Sequence, residues 1–511
     1  MKTTFSLLVF LIGASCIMLA CGGKSGSADA SKLADSSEAL VKQVCTRCHE
    51  WIPPDMLDKS TWTESVLPVM AAKMGVYEMD GKTFFNEKND PNAAGVYPDK
   101  PQIDMETLRA VFNYFEVKAP DALPAQKRSN PIGAESNLFG VESPQITAEP
   151  GAVTTFVGIR PAQKQILAGI SGSKSAVGLF DNKLKPLSSL TMPSAPAWIE
   201  PADATHFWVT CMGNIFPNNA KEGQLIEVNV QNNKLNAGKK LLEGLPRPVQ
   251  IQKATLESSG DILVNGFGHL RGRLYYQKAG TEKVTVLRDM PGCLHSKVID
   301  WDKDGKNDVI ALFTQGKEAI VLFRNLGGGR FEEKELLSFL PVNGSSWFEI
   351  ADVNSDGKND IVYTCGDNAD YSVILKPYHG VYIYENKGNN IFEQSWFYPV
   401  HGAYRVMLRD FDLDKDLDMV SIAYFADFTG QPEETLLYFE NKGNNNWLPF
   451  RLPGALNGRW LTMDAGDVDG DGDEDIVLGN FSQGPQSFIT QEMVNRFGSA
   501  PPFTLLRNKT R

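Results

Sequence analysis

Four acidic segments, spaced 52, 58 and 57 residues apart, constrain this chain more than any other feature of its sequence. They are Asp300-Trp-Asp302-Lys-Asp304-Gly-Lys-Asn-Asp308, Asp352-Val-Asn354-Ser-Asp356-Gly-Lys-Asn-Asp360, Asp410-Phe-Asp412-Leu-Asp414-Lys-Asp416-Leu-Asp418 and Asp467-Val-Asp469-Gly-Asp471-Gly-Asp-Glu-Asp475. Each runs directly into an apolar pair of β character: Val309-Ile310, Ile361-Val362, Met419-Val420 and Ile476-Val477. A period near fifty residues belongs to a solenoid, a propeller or an array, with one supersecondary unit per repeat.

The acidic pattern carries its own chemistry. Oxygens at positions 1, 3 and 5 of a tight loop converge on one point, glycine at position 6 permits the sharp turn, and the aspartate at position 9 closes the shell. That oxygen-rich set suits a hard cation with irregular coordination, Ca²⁺ above all. The expected ligands are Asp300, Asp302, Asp304 and Asp308; Asp352, Asn354, Asp356 and Asp360; Asp410, Asp412, Asp414 and Asp418; and Asp467, Asp469, Asp471 and Asp475. Three to four Ca²⁺ ions are expected, because the third loop has Lys415 where the others have glycine. An EF-hand is the rival reading. It requires flanking helices and Glu at position 12, where the first two loops hold Ala311 and Tyr363.

A second signature follows three of the loops: Leu322-Phe-Arg-Asn325-Leu-Gly327, Ile383-Tyr-Glu-Asn386-Lys-Gly388 and Tyr438-Phe-Glu-Asn441-Lys-Gly443, each with an aromatic residue four positions after the glycine. A strand, an Asn-x-Gly turn and a returning strand make a hairpin. Acidic loop plus hairpin resembles the FG-GAP/VCBS repeats of integrin-like β-propellers, and the resemblance implies one blade per repeat. Upstream, apolar pairs at Ile166-Leu167, Phe207-Trp208 and Ile262-Leu263 keep a similar spacing without acidic loops. Seven units give seven blades, with eight as the alternative. The last unit lacks a fourth strand, so a strand near Ser143 to Glu149 is expected to close the ring, since an unpaired edge invites aggregation.

The first 118 residues read differently. Lys2 and the apolar run from Phe5 to Ala20 form an export signal. Cys21 stands where a bacterial lipoprotein signal places its lipidated cysteine, and residues 21–37 read as a flexible tether. Cys45-Thr-Arg-Cys48-His49 is a C-x-x-C-H motif. Its two thiols can reach the vinyl groups of one haem while the adjacent imidazole ligates the iron. A thioredoxin-like pair would need a βαβ setting, and a zinc site would need a second Cys/His pair nearby. Thr61-Trp-Thr-Glu64 reads as a capping box that opens a helix to about Gly75, and its Met70, or alternatively Met74, is the expected distal ligand. The stretch from Cys45 to Gly75 resembles the c-type cytochrome modules fused to propellers in bacterial lipoproteins. That resemblance implies one covalent haem c.

The expected organisation is therefore a signal at 1–20, a tether at 21–37, a small all-α haem domain at 38–118, a linker at 119–140 and a large all-β propeller at 141–511. A net charge of −12 argues against nucleic acid as partner. Seven scattered cysteines argue against a disulfide scaffold, and no nucleophile–base set or phosphate loop marks a catalytic centre. The reading is an envelope-anchored electron carrier, on the periplasmic or cell-surface side, rather than a catalyst with its own substrate. A redox protein is the expected partner, and the propeller is its docking scaffold. A periplasmic dehydrogenase with a cytochrome outlet, and an adhesion or glycan-binding propeller, are the alternatives.

Overall fold

Each apolar run after an acidic loop is the second strand of a four-stranded sheet, and every residue in Asp308–Phe313, Asp360–Cys365, Asp418–Ala423 and Asp475–Asn480 is buried. Neighbouring sheets cover both faces of these strands, which explains why they read as continuous apolar runs rather than alternating ones. The computed structural model describes residues 38–146, 149, 151–369, 371–484 and 489–511. The apolar leader, Cys21 and the tether lie outside the described residues.

Seven such sheets form a ring. Their innermost strands are Val153–Arg160, Pro196–Pro201, Pro248–Thr255, Cys293–Ile299, Ser345–Ala351, Ala403–Arg409 and Trp460–Gly466. Each packs against the next, and the seventh packs against the first, so the molecule is a closed seven-bladed β-propeller. Blades are numbered below in this order.

Two strands from before Val153 complete the wheel. Phe139–Glu142 pairs antiparallel with Phe503–Asn508 as the outer strand of blade seven. Gly133–Glu135 adds a fifth, parallel strand to blade six. The closing strand therefore lies just upstream of the expected 143–149. Pro144 has no amide hydrogen for a ladder, whereas Phe139 is buried edge-on against Phe411, with ring centroids 5.8 Å apart. Residues 119–131 are strapped to the propeller: Gln126 donates to the carbonyls of Lys376 and His379, and Arg128 reaches Pro399, Gln431 and Glu434.

The described residues 38–45 are helical, followed by a helical segment whose parts are Thr61–Val66 and Leu67–Lys73, a short hairpin (Glu78–Met79 and Lys82–Thr83), and a helix at Met105–Lys118. The expected capping box is replaced. Asp58, not Thr61, caps this helix, accepting from the Thr61 amide at 2.8 Å. Thr61–Val66 is wound as a π-turn just ahead of Pro68, whose missing N–H breaks the ordinary ladder. These elements share a core of Trp62, Leu67, Leu108, Val111 and Phe115.

In an antiparallel blade the loops joining strands one to two and three to four emerge on one face, and the remaining loops on the other. The acidic loops occupy the first face. The N-terminal unit sits on the second, through Glu87 and His269 (2.7 Å), Asn219 and Asp90 (2.8 Å), and the Tyr378 hydroxyl donating to the Met56 carbonyl (3.0 Å). Among the described residues no helix is long and apolar enough to cross a membrane.

Candidate metal loops and the C-x-x-C-H turn

The acidic loops are folded by their own backbone. In blade four the Asp304 amide donates to Asp300 Oδ1 (3.0 Å) and Asp302 Oδ1 (3.2 Å), and the Gly305 amide donates to Asp300 Oδ2 (3.0 Å). The blade-five loop repeats this wiring, with Asp356 donating to Asp352 and Asn354 and Gly357 to Asp352. Positions 4 and 6 take positive φ, as at Lys303 (61°) and Gly305 (87°). Lys415 adopts the same conformation at φ 82° without being glycine. The side-chain oxygens of Asp300, Asp302 and Asp304, of Asp410, Asp412 and Asp414, and of Asp467, Asp469 and Asp471 lie within 4.8 Å of one another in each group. These are hard oxygen donors converging from one tight loop, which is the donor set Ca²⁺ takes.

The ninth-position aspartates are placed elsewhere. Asp308 accepts from the amides of Trp301 (3.1 Å) and Asn325 (2.7 Å), Asp360 from those of Val353 and Asn386, and Asp475 from those of Val468 and Asn508. Asp418 accepts from the Asn441 amide (3.0 Å) and the Tyr438 hydroxyl (2.8 Å). Asp308, Asp418 and Asp475 lie outside the converging groups of their loops, and all four aspartates tie the loop to the third strand. Burial pushes Asp418 up to about 7 and Asp475 up to about 6.

The loops differ in how their charge is balanced. Arg324 pairs with Asp302 (2.5 Å), Lys306 with Asp304 (2.6 Å), Lys358 with Asp356 (2.7 Å), and Arg507 with Asp469 (3.0 Å). Among the described residues no basic side chain pairs with Asp410, Asp412 or Asp414, and the Oδ1 atoms of Asp410 and Asp416 are buried without a hydrogen-bond partner. Lys306 and Lys358 stand two residues from their carboxylates inside the loops, whereas Arg324 and Arg507 come from the third strand of the same blade, 22 and 38 residues further on, and carried no sequence signal.

A family model for the FG-GAP-like repeat matches residues 300–363 and 410–478, which hold all four acidic loops. The chain carries FG-GAP-like repeats. No curated protein matches the sequence. Several solved structures are similar to this chain at low identity. The N-terminal domain of Nup159 is 13% identical, covering 75% of this chain and 99% of its own, with a TM-score of 0.42. Sqt1 of Saccharomyces cerevisiae is 8% identical over 74% of this chain and 100% of its own, with a TM-score of 0.43. The periplasmic gluconolactonase PpgL of Pseudomonas aeruginosa is 12% identical over 58% of this chain and 85% of its own, with a TM-score of 0.40. The seven blades are established by the strand pairing alone.

The C-x-x-C-H turn follows the helical residues 38–45. Cys45 is half-buried and Cys48 exposed, and both thiols are free. Burial pushes the Cys45 thiol up to about 11. His49 Nδ1 lies 2.7 Å from the Glu50 carbonyl oxygen. A carbonyl only accepts, so Nδ1 carries the proton and Nε2 keeps a free lone pair, the tautomer a metal-ligating histidine needs. Cys45, Met70 and Met74 are partly buried against the same apolar core. Arg47 donates to the Gln102 carbonyl (3.3 Å), and the Gln102 amide donates to the Met74 carbonyl (2.8 Å), which links the turn to the end of the Met-bearing helix. Two free thiols, an imidazole nitrogen and two thioethers packed on the same core as Cys45 are the donor types a covalent haem takes.

An open cleft of about 1180 Å³ lies between this unit and blade five, lined by Val69, Phe85, Phe112 and Tyr371, and does not include Cys45, Cys48, His49 or Met70. Cys211, Cys293 and Cys365 are fully buried, and burial pushes the Cys211 and Cys365 thiols up to about 12, as expected of inert core cysteines.

Proposed function

We propose that this chain is a haem c electron-transfer protein of a bacterial envelope, anchored through a lipid on Cys21, with a calcium-binding propeller as the scaffold for partner docking. Cys45 and Cys48 would hold the group through thioether links, and His49 Nε2 with the thioether of Met70 or Met74 would supply its iron ligands. A bound haem supplies single-electron exchange, and thioether ligation favours the reduced state. Arg47 and Gln102 hold the C-x-x-C-H turn against the Met-bearing helix. The propeller contributes a broad rigid base, with its acidic loops on the face away from the redox unit.

The observation that supports this reading most is the C-x-x-C-H turn itself, with both thiols unpaired and the His49 tautomer already set. The test is to express the full chain in a host with haem c maturation and record its visible spectrum and intact mass. The expected result is a c-type spectrum and a mass gain of one haem that survives denaturation and disappears in Cys45→Ala/Cys48→Ala. A protein lacking both would overturn the proposal.

A further inference from the structure

The bore of the propeller contains a side-chain stack that the loops and the C-x-x-C-H turn do not use. Trp347, on the innermost strand of blade five, has the His295 ring 3.6 Å from its own at an interplanar angle of 18°, and the Arg405 guanidinium 3.7 Å from its centroid. Two groups that close to one ring must occupy opposite faces, so His295 of blade four, Trp347 of blade five and Arg405 of blade six form a three-layer stack. His295 also lies 6.4 Å from Trp198 of blade two. Blade three stands between them, so His295 reaches Trp198 across the bore rather than through a sheet interface.

The stack is polar and incompletely satisfied. His295 is 4% exposed, and neither of its ring nitrogens has a hydrogen-bond partner. Arg405 donates to the Thr462 hydroxyl at 2.9 Å, but its Nε is buried without a partner and it makes no ion pair among the described residues. The bore's carboxylates have donors of their own. Glu349 takes Lys297 (2.6 Å) and the Trp347 indole N–H (2.9 Å), Glu200 takes the Trp198 indole N–H (3.1 Å), and Asp464 takes the Ile159 amide (2.7 Å). The charges acting on His295 are the cations Lys297 and Arg405. Trp347, Arg405, Lys297 and Glu349 all keep partial exposure, so solvent enters the bore.

We propose that the central channel binds a small oxyanion, of carboxylate or inorganic phosphate chemistry, between the edges of His295 and Arg405. The two planes are stacked on one indole and are roughly 7 Å apart, and an anion accepting hydrogen bonds of about 2.8 Å from both edges spans that gap. His295 supplies a neutral N–H, Arg405 the charge, and Trp347 holds both in register. Asp464 and Glu349 act on the Arg405 guanidinium only through space, with no ion pair to either among the described residues, and an anion at its edge adds the direct charged partner it lacks.

The test is a titration of the full chain, labelled with ¹⁵N-histidine, with sodium phosphate, sodium acetate and sodium chloride. The chain has six histidines, so the His295 signals are assigned by their loss in His295→Gln. Saturable movement of those signals is expected with phosphate or acetate at concentrations where chloride has no effect. Whichever acts at lower concentration identifies the class. Arg405→Gln is expected to weaken binding at least tenfold, and Arg405→Lys less. No saturable shift in the wild-type chain, or equal affinity in a folded Arg405→Gln or Arg405→Lys, would overturn the proposal.

Discussion

The Asn325 backbone amide donates to Asp308 Oδ1 at 2.7 Å, and the Asn325 side-chain amide returns to the Asn307 carbonyl at 3.0 Å. This pair joins the end of an acidic loop to the start of the hairpin turn in the same blade. It recurs as Asp360 with Asn386, Asp418 with Asn441 and Asp475 with Asn508. Two motifs that look separate in sequence, an acidic loop and an Asn-x-Gly turn, are one hydrogen-bonded unit.

Asp308→Ala leaves the Trp301 and Asn325 amides without their acceptor inside the fold, and each unmet buried donor costs about 1–3 kcal/mol. Thermal unfolding should fall clearly in Asp308→Ala and in Asn325→Ala. Because the two act on one unit, the double variant should lose less than the sum. Additive losses in a double-mutant cycle would contradict the pairing.

Calcium should not fill the four loops evenly. Arg324 and Arg507 already neutralise a third-position carboxylate in blades four and seven, whereas no basic side chain among the described residues pairs with Asp410, Asp412 or Asp414, and the first-position Asp410 has a buried, unpartnered oxygen. Calorimetric titration of chelator-stripped protein should show a tightest class of sites that Asp412→Asn removes. Arg324→Gln should strengthen a weaker class. Survival of the tightest class in Asp412→Asn would rule out this ranking.

Lys415 stands at φ 82°, a conformation that costs a non-glycine residue on the order of 1 kcal/mol. Lys415→Gly also removes a cation beside the loop. The variant should melt higher in saturating calcium and bind the ion more tightly. A lower melting temperature with unchanged affinity would show that the lysine has a compensating contact.

Glu318 gives a pH dependence with a definite sign. Burial pushes its carboxyl up to about 7, with the Gly344 and Ser345 amides and Lys376 opposing. The folded state therefore binds a proton more tightly than the unfolded chain. This contribution to stability is complete below the unfolded value of about 4.3 and is lost as pH rises toward 7. In saturating calcium, Glu318→Gln should flatten the fall in stability between those limits. An unchanged slope would assign it to other groups.

Much of the propeller was legible because its signals are local. The acidic loops, the apolar runs after them and the Asn-x-Gly turns mark three strands of a blade, and their spacing implied seven blades. The closing strand lies upstream of 143–149 because Phe139 packs on Phe411, a contact across 272 residues that leaves no local signal. The π-turn at Thr61–Val66 and the Asp58 cap escaped because Thr61 and Glu64 imitate a capping box in sequence. Arg324, Arg507 and Arg405 were invisible because each acts from one strand on a different loop, strand or blade, with no local pattern joining the two. The docking of residues 119–131 escaped for the same reason: its three prolines carry a linker's composition, while Arg128 and Gln126 bind carbonyls more than 250 residues away.

The haem c assignment is tested most directly by the visible spectrum and intact mass of the purified full chain, compared with Cys45→Ala/Cys48→Ala. The account predicts a reduced c-type spectrum, one haem of added mass retained after denaturation, and neither in the double variant. His49→Ala should keep the mass and lose the native spectrum, and one of Met70→Ala and Met74→Ala should change it while the other does not. A colourless chain of unmodified mass from a host that matures a control cytochrome would contradict it.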